Sequence, residues 1–222
     1  MRIAILISGR GSNMDALLEA ASGTAITVAL IAANQPCEGL TRAEAAGFRT
    51  ALMLRSDYDS KQAHEAAIGR ILRQAAPDWI FLAGYMALLS ADFIASQHYK
   101  IINIHPSLLP AYKGLDTYQR AINDRAVYHG VSIHLVTADM DSGTVLVQAG
   151  IQIQKTDTAK SLAMRLLKVE HMLYPAVLLA LSSSNLTISF ISENAEPIWH
   201  STGDLPQIGE ADICFIKTTS SQ

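Results

Sequence analysis

The chain has 222 residues, half of them apolar and only 17% charged, which predicts a globular protein with a substantial core. A net charge of −3 gives no general attraction to nucleic acid or to anionic membranes, so we expect neither as a partner. The apolar run at the N-terminus ends at Gly9, and no stretch reaches the ~20 apolar residues of a membrane span. We therefore expect a soluble, cytoplasmic protein.

Short apolar runs alternate with helical patterns through the first half of the chain. Strands are predicted at residues 2–7, 26–32, 50–54, 79–83 and 100–104, and helices at 12–21, 40–46, 60–75 and 91–97. This alternation predicts an α/β fold with a Rossmann-like, mostly parallel central sheet and helices on both faces. Ligands of such sheets bind at the carboxyl ends of the strands.

After Pro110 the pattern changes. Residues 131–137 and 145–153 alternate apolar and polar positions, which predicts an antiparallel pair joined by a turn at 139–144. A long helix at about 158–181 follows, with Thr158 or Asp157 as its N-cap. No repeat or linker divides the chain, so we expect a single domain over residues 1–200 and a loosely attached tail over 201–222.

The first strand is followed by a glycine-containing turn, S-G-R-G-S-N-M. Gly9 and Gly11 allow the backbone to approach a ligand closely, and the amides of a helix start bind an anion. Met14 replaces the third glycine of a dinucleotide fingerprint, and the second strand lacks an acidic residue for a ribose, which disfavours such a cofactor. The turn favours a single phosphate on Gly11, Ser12 and Asn13. The alternative is a plain tight turn with a serine cap.

The fifth predicted strand ends in polar residues. Asn103 and His105 share one face of the strand, and Pro106 ends it. An amide and an imidazole presented together can stabilise an oxyanion. Asp141, in a later glycine-containing turn, could bring its carboxylate against His105 and favour the imidazolium, which can also act as a general acid. The alternatives are a hydrogen-bonded core histidine, and Asp139 and Asp141 as ordinary turn residues.

Other reactive side chains form no recognisable motif. The histidines show no metal-ligand spacing, so no metal is expected, and His134 is expected to be half exposed on its alternating strand. Ser107 lies in nothing that resembles a nucleophile elbow. Cys37 and Cys214 are far apart, and neither has a candidate base beside it, so both are expected to be inert packing residues.

Six segments stand in the order that they have in one known family. They read I-L-I-S-G-R-G-S-N, L-A-G-Y-M-A-L-L-S, N-I-H-P-S-L-L-P-A-Y-K-G-L, H-G-V-S-I-H-L-V, D-M-D-S-G and K-V-E-H-M-L-Y-P. On these segments, across residues 1–200, the chain resembles the folate-dependent formyltransferases. Its S-G-x-G-S-N turn is similar to that of the branch that acts on glycinamide ribonucleotide.

The resemblance implies the formyltransferase fold and a formyl transfer in de novo purine biosynthesis. The co-substrate would be 10-formyltetrahydrofolate, and the acceptor would be the amine of 5-phosphoribosylglycinamide (glycinamide ribonucleotide). Asn103 and protonated His105 would stabilise the tetrahedral intermediate, while Asp141 holds His105 charged and helps to move protons. The N-terminal half would bind the ribonucleotide and the C-terminal half the folate, in a monomer or a homodimer.

The resemblance also implies the binding residues. Gly11, Ser12 and Asn13 would bind the ribose phosphate, and Glu170 would contact the ribose. The implied folate residues are Lys61, Asn103 and the segment made of Met86, Ala87, Leu88 and Leu89. Lys61 stands where the family commonly has arginine. Asp116 stands where many members have histidine, so no side-chain role is carried over to it.

Related activities remain as alternatives. The first is hydrolysis of 10-formyltetrahydrofolate by a deformylase with the same Asn, His and Asp trio, although such proteins carry an extra N-terminal regulatory domain. A methionyl-tRNA formyltransferase would need a C-terminal RNA-binding barrel and a basic surface. A sugar-nucleotide formyltransferase would lack the phosphate turn in this form. A non-catalytic binder would have little reason to keep Asn103, His105 and Asp141 together.

Overall fold

The computed structural model describes residues 1–98 and 100–183, together with the segments 186–189, 198–201 and 213–218. The chain divides into two compact units. The first contains Met1–Asn103 and Val136–Ala138, and the second contains Ile104–Leu135 and Asp139–Gln222. None of the helices in the described ranges is long and apolar enough to cross a membrane.

The first unit is built on five parallel strands. They are β1 (Arg2–Ile7), β2 (Thr27–Ala33), β3 (Thr50–Leu52), β4 (Trp79–Leu82) and β5 (Lys100–His105), in the spatial order β5-β4-β1-β2-β3. Residues 3–7 of the central β1 are all buried, which explains why its sequence is continuously apolar rather than alternating. The strand β5 continues into the second unit with its last two residues.

Four α-helices connect these strands. They are α1 (Ser12–Ala21), α2 (Glu38–Ala45), α3 (Lys61–Ala75) and α4 (Ala91–Ser96), and a 3₁₀ turn spans Arg55–Asp57. Ser60 and Ser90 cap α3 and α4, because their hydroxyls accept the amides of Ala63 and Phe93. Parallel strands place their carboxyl ends at one edge of the sheet. The segments that leave β1, β2 and β4 therefore meet at that edge.

The second unit is mainly antiparallel. Its strands β6 (Tyr128–Leu135) and β7 (Val145–Gln152) pair directly, as the alternating sequence predicts. The helix α5 (Thr117–Asn123) precedes them, and the long helix α6 (Ala159–Ser182) follows. The strands β8 (Leu186–Ser189) and β9 (Ile198–Ser201) pair with each other, and β10 (Ile213–Thr218) pairs antiparallel with β7.

The N-cap of α6 is one of the two residues expected from the sequence. The Thr158 hydroxyl accepts the Ser161 amide at 3.1 Å, and the Ser161 hydroxyl accepts the Thr158 amide at 2.9 Å. This reciprocal pair is a capping box. Asp157 accepts the Ser161 hydroxyl and so supports the cap without being it.

The sequence predictions match these elements to within a few residues, apart from the following points. The helix α5 and the 3₁₀ turn were not predicted, because each is only a few residues long. His134 is 2% exposed, so the expectation of half exposure is wrong: residues 129–135 of β6 are buried on both faces of the strand. Within the predicted tail, Ile213–Thr218 form the strand β10, which pairs with β7.

The two cysteines lie in different parts of the fold. Cys37 is a partly exposed free thiol that precedes α2. Cys214 lies on β10, and its side chain is outside the described residues. The boundary of the predicted single domain at residue 200 stays a prediction.

Candidate active site

The turn after β1 is built by backbone groups. Gly11 is the N-cap of α1 with a left-handed conformation (φ 78°), and no side chain caps the helix. Ser12 is the first helical residue, so the serine-cap alternative is wrong. The first helical bond runs from the Asp15 amide to the Gly11 carbonyl at 2.8 Å. The amides ahead of it lie outside the helical ladder, at the positive end of the helix dipole, which suits an anion.

The second helix closes against this turn through a glycine that belongs to none of the predicted motifs. The Gly39 amide donates to the Gly9 carbonyl at 3.2 Å. A Cβ added to Gly11 would lie 2.9 Å from the Gly39 Cα, and one added to Gly39 would lie 3.0 Å from the Gly11 Cα. The two backbones are therefore in direct contact, and the start of α2 supports the turn. The only sequence signal was a second glycine at a helix start.

The segment with the predicted folate residues is tied down at both ends. The Met86 amide donates to the Ser8 hydroxyl at 2.7 Å, and that hydroxyl donates to the Asn34 side chain at 2.6 Å. At the other end, the amide of Ser90 donates to the buried Glu65 carboxylate at 2.8 Å, and the Ser90 hydroxyl bonds to its second oxygen. Ser8 and Glu65 therefore position this segment, and neither was predicted to do so.

The apolar side chains of this segment differ in exposure. Met86 is 72% exposed and Leu88 is 62% exposed, whereas Leu89 is only 5% exposed and belongs to the core. The first two can face a ligand, while the third anchors the segment. Because the Met86 amide donates to the Ser8 hydroxyl, it is not available to hydrogen-bond to the pterin ring of a folate. Ala87, between the two exposed residues, is partly buried.

Lys61 and Tyr85 both lie near the Glu65 carboxylate. The Lys61 Nζ atom is 3.7 Å from Glu65 Oε1, one helical turn along α3. Burial raises the pKa of Tyr85 to about 12, and the Glu65 charge adds to the effect. The Tyr85 hydroxyl is therefore neutral at physiological pH. Lys61 is thus paired by charge with the carboxylate that accepts the Ser90 amide.

The end of β5 brings together two of the predicted catalytic residues. The Nδ1 atom of His105 lies 3.4 Å from Asp141 Oδ2, and both side chains are largely buried, at 7% and 11% exposure. The ring is also held from its other nitrogen, since Nε2 donates to the Tyr112 carbonyl at 3.0 Å. The same Asp141 oxygen accepts the Gly114 amide at 2.9 Å. Asn103 is two positions earlier on β5 and half buried.

The two nitrogens of the His105 ring face different partners. A carbonyl can only accept, so the Nε2 atom that faces Tyr112 carries a proton. The other nitrogen, Nδ1, faces the Asp141 carboxylate. Their separation of 3.4 Å is within ion-pair distance but exceeds the 2.7–2.9 Å of a close charge-assisted hydrogen bond.

A second histidine, for which the sequence pattern predicts half exposure, contacts the same carboxylate. The Nε2 atom of His134 is 3.6 Å from Asp141 Oδ1, and its Nδ1 donates to the Leu135 carbonyl at 2.9 Å. Burial lowers the pKa of His134, although the Leu135 carbonyl and the Asp141 charge oppose the shift. Asp141 therefore has one imidazole near each of its oxygens. Its own backbone is left-handed, with φ 49°.

Glu170, the predicted ribose residue, is a buried carboxylate on α6. It is 7% exposed, and the Tyr118 hydroxyl donates to its Oε1 at 3.4 Å. Burial raises the pKa of Tyr118, and the Glu170 charge adds to this rise. Asp116, the N-cap of α5, is exposed and makes no side-chain cap bond.

A third histidine of the second unit is fully buried. The His129 ring lies edge-on to the rings of Tyr112 and Tyr118, with centroids 5.6 and 5.5 Å away. Burial lowers the pKa of His129 to about 4, and the charge of His105 adds to the effect. His129 is therefore neutral at physiological pH and supports the tyrosine whose carbonyl holds His105. Across the described ranges, no group of three or more His, Cys, Asp or Glu residues has metal-site geometry.

Residues 1–178 match the formyl transferase family, and the chain belongs to that family. Its relatives include the phosphoribosylglycinamide formyltransferase of Escherichia coli (strain K12), 37% identical over 181 residues, with 80% of this chain and 85% of the relative covered. A crystal structure of phosphoribosylglycinamide formyltransferase from Brucella melitensis has a TM-score of 0.77 at 46% identity, over 82% of this chain and 95% of that one. Glycinamide ribonucleotide transformylase 1 from Symbiobacterium toebii has a TM-score of 0.80 at 34% identity, over 85% and 91%. These similarities confirm the predicted fold class.

Proposed function

We propose that the chain transfers the formyl group of 10-formyltetrahydrofolate to the amine of 5-phosphoribosylglycinamide, giving formylglycinamide ribonucleotide and tetrahydrofolate. The activity is the one named in its relatives. The observation that supports it most directly is the contact between His105 and Asp141 at the end of β5, where Asn103 also lies. An imidazolium and an amide are the donors that a developing oxyanion requires.

The reaction begins with attack of the glycinamide amine on the formyl carbon. The carbonyl electron pair moves to oxygen, and the resulting oxyanion accepts hydrogen bonds from the Asn103 amide and the His105 imidazolium. Collapse of the intermediate breaks the bond to N10 of the folate. One proton leaves the amine and one reaches N10, so the overall step is a proton-neutral exchange of the formyl group. Each oxyanion donor contributes roughly 10²- to 10³-fold in rate.

Asp141 has two tasks in this scheme. Its carboxylate favours the imidazolium of His105, because the two charges attract across 3.4 Å in a largely buried setting. It also accepts the amine proton and passes it on, helped by its contact with His134 at 3.6 Å. The Gly114 amide keeps the carboxylate oriented while these protons move.

The ribonucleotide is bound through its phosphate and its ribose. The phosphate is held by the turn at Gly11, Ser12 and Asn13, which carries no side-chain cap and presents helix-start amides. The ribose hydroxyls donate to Glu170, whose carboxylate is buried and otherwise within reach of Tyr118. Both groups bind parts of the substrate that do not react, and they orient the amine for attack.

The folate is bound by the segment tied between Ser8 and Glu65. The exposed side chains of Met86 and Leu88 contact the pterin ring, while Ala87 and the core residue Leu89 shape the segment. Lys61 and Asn103 complete the set of proposed folate residues, with Lys61 placed toward the charged part of the co-substrate. This assignment puts the folate residues in the same unit as the phosphate turn, and Glu170 in the other unit.

A hydrolase that releases formate would use the same three catalytic residues. It is the weaker candidate because the relatives are named as transferases and because the phosphate turn would have no substrate to bind. Mixing the protein with 10-formyltetrahydrofolate, with and without the ribonucleotide, separates the two. We expect tetrahydrofolate release only when the ribonucleotide is present, and we expect it to disappear in Asn103→Ala. Equal release without the ribonucleotide would contradict the proposal.

A further inference from the structure

One arginine of α2 bonds to the phosphate turn from outside. The Nη2 atom of Arg42 donates both to the Arg10 carbonyl and to the Asp15 carboxylate, the second at 2.6 Å. The same nitrogen lies 3.6 Å from the position that a Cβ on Gly11 would occupy. Arg42 therefore contacts the turn at Arg10 and the first turn of α1 at Asp15.

The bond to Arg10 fixes the orientation of one peptide unit. In a trans peptide the carbonyl and the following amide point in opposite directions. Because the Arg10 carbonyl points at Arg42, the Gly11 amide points away from the arginine. The left-handed conformation of Gly11 then leads directly into α1. The bond to Arg42 thus holds this peptide in one orientation, with the Gly11 amide on the side opposite the arginine.

The second bond concerns charge. Asp15 lies in the first turn of α1, where its carboxylate would repel a phosphate held by the helix-start amides. Arg42 pairs with that carboxylate at 2.6 Å, and both side chains remain about half exposed, at 47% and 46%. An exposed pair of this kind contributes little to folding stability. Because it lies beside the turn, it can instead reduce the repulsion between the Asp15 carboxylate and an anion.

We propose that Arg42 is a positioning residue of the phosphate turn, which orients the Gly11 amide through the Arg10 carbonyl and offsets the charge of Asp15. The inference rests on the proposed function, because the phosphate it serves belongs to the ribonucleotide. Arg42 acts through the turn and not on the reacting atoms. Its removal should therefore weaken ribonucleotide binding and leave the chemical step and the folate unaffected.

The test compares four proteins by steady-state kinetics. In Arg42→Met we expect the KM for the ribonucleotide to rise about tenfold, with kcat and the folate KM unchanged, the size expected for one charge-assisted bond. Asp15→Asn breaks the same ion pair from the other side but leaves the bond to Arg10 intact, so its KM should not rise. Arg49→Met is the matched control, since Arg49 is an exposed arginine of the same unit whose side chain bonds to Gln74.

Equal increases of KM in Arg42→Met and Asp15→Asn would overturn the proposal, because the ion pair alone would then account for the effect. An unchanged ribonucleotide KM in Arg42→Met would overturn it as well. Should the methionine variant not fold, as judged by circular dichroism, Arg42→Lys serves in its place. It keeps the charge but lacks the planar fork, so we expect an intermediate KM.

A second readout separates this inference from the proposed function. Inorganic phosphate is titrated into ¹⁵N-labelled protein, and the amide signals of Gly11 and Ser12 are followed by NMR. We expect them to shift in the wild-type protein and in Arg49→Met, and to require about tenfold more phosphate in Arg42→Met. If phosphate shifts these signals but no formyl transfer occurs, the proposed function fails and the role of Arg42 stands. If the wild-type signals do not shift, the role of Arg42 fails.

Discussion

The turn that begins α1 and the loops around His105 are built from different parts of the chain. The turn offers backbone amides, and its shape depends on two glycines in contact, Gly11 and Gly39. The site at the end of β5 depends on side chains instead, with Asp141 near both His105 and His134. Substitutions that change the backbone shape should therefore damage the turn. Substitutions that change the charge or the number of exchangeable protons should damage the site at the end of β5.

The two regions also differ in what holds them in place. The turn is supported by another helix through a backbone contact and through Arg42. The ring of His105 donates to the backbone carbonyl of Tyr112. The ring of Tyr112 in turn lies edge-on to the ring of His129. The proposed phosphate site therefore depends on the geometry of its backbone, and the proposed catalytic site depends on the identity of its side chains.

The largest effect is expected for His105→Ala. The variant loses an oxyanion donor and the partner of Asp141, so kcat should fall by roughly 10³-fold. Binding of the ribonucleotide should persist, because we propose that its phosphate binds the turn of the first unit. His98→Ala, at an exposed histidine, is the control and should behave as wild type. Turnover near the wild-type rate in His105→Ala would contradict the role of His105 as an oxyanion donor.

Asp141→Asn isolates the charge of the carboxylate. Asparagine tolerates the left-handed backbone at this position and can still accept the Gly114 amide, so the loop should be retained. The imidazolium of His105 loses its counter-charge, and we expect kcat to fall by about 10²-fold. Asp139→Asn changes an exposed carboxylate of the same turn and serves as the control in the same rate measurement. Equal losses in the two variants would argue for a general effect on the turn.

Gly11→Ala tests the backbone site. An added Cβ would meet the Gly39 Cα at 2.9 Å, and the left-handed φ of 78° strains any residue with a side chain. We expect the ribonucleotide KM to rise about tenfold or more while kcat at saturation stays within a few-fold. A Cβ on Gly9 would have nothing within 4 Å, so Gly9→Ala is the matched control. A fall in kcat with an unchanged ribonucleotide KM would contradict this prediction, because the substitution would then affect the chemical step and not the binding of the ribonucleotide.

The smallest effect concerns pH and only the second unit. Burial lowers the pKa of His129 from 6.5 to about 4. Between these pH values the unfolded chain therefore binds a proton at His129 that the folded chain does not bind. The free energy of unfolding should therefore fall as the pH drops from 6.5 toward 4, by up to about 1.4 kcal/mol per pH unit from this residue. Above pH 6.5 the contribution is constant.

Urea unfolding between pH 7.5 and 4.5 would measure this slope. We expect His129→Gln to lack the component and exposed His98→Gln to retain it. The same acid slope in wild type and His129→Gln would show that another group is responsible. The turn S-G-R-G-S-N contains no histidine, so it adds no histidine component to this slope.

Residues close in sequence carried most of what the sequence could predict. The apolar run of β1, the bounds of α1 and the shared face of Asn103 and His105 follow from local patterns. In each of these cases the signal lies within one strand, one helix or one turn. The contact between His105 and Asp141 joins distant segments, and the sequence pattern offered it only as one of two interpretations of the acidic turn.

What could not be predicted depends on contacts between distant segments. Ser8 bonds to the Met86 amide, Glu65 bonds to Ser90, and Gly39 contacts Gly11, and no local pattern reveals such partners. His134 was misplaced for a related reason. Its strand alternates polar and apolar residues, yet both faces are covered, so polar side chains are buried and find partners inside.

The central claim is that the formyl group moves to the amine of the ribonucleotide. It is tested most directly with 10-formyltetrahydrofolate labelled with ¹³C in the formyl group and followed by ¹³C NMR with the wild-type protein. We predict that the label appears as the formamide of formylglycinamide ribonucleotide, in step with the release of tetrahydrofolate. Accumulation of the label as free formate, whether or not the ribonucleotide is present, would contradict the account.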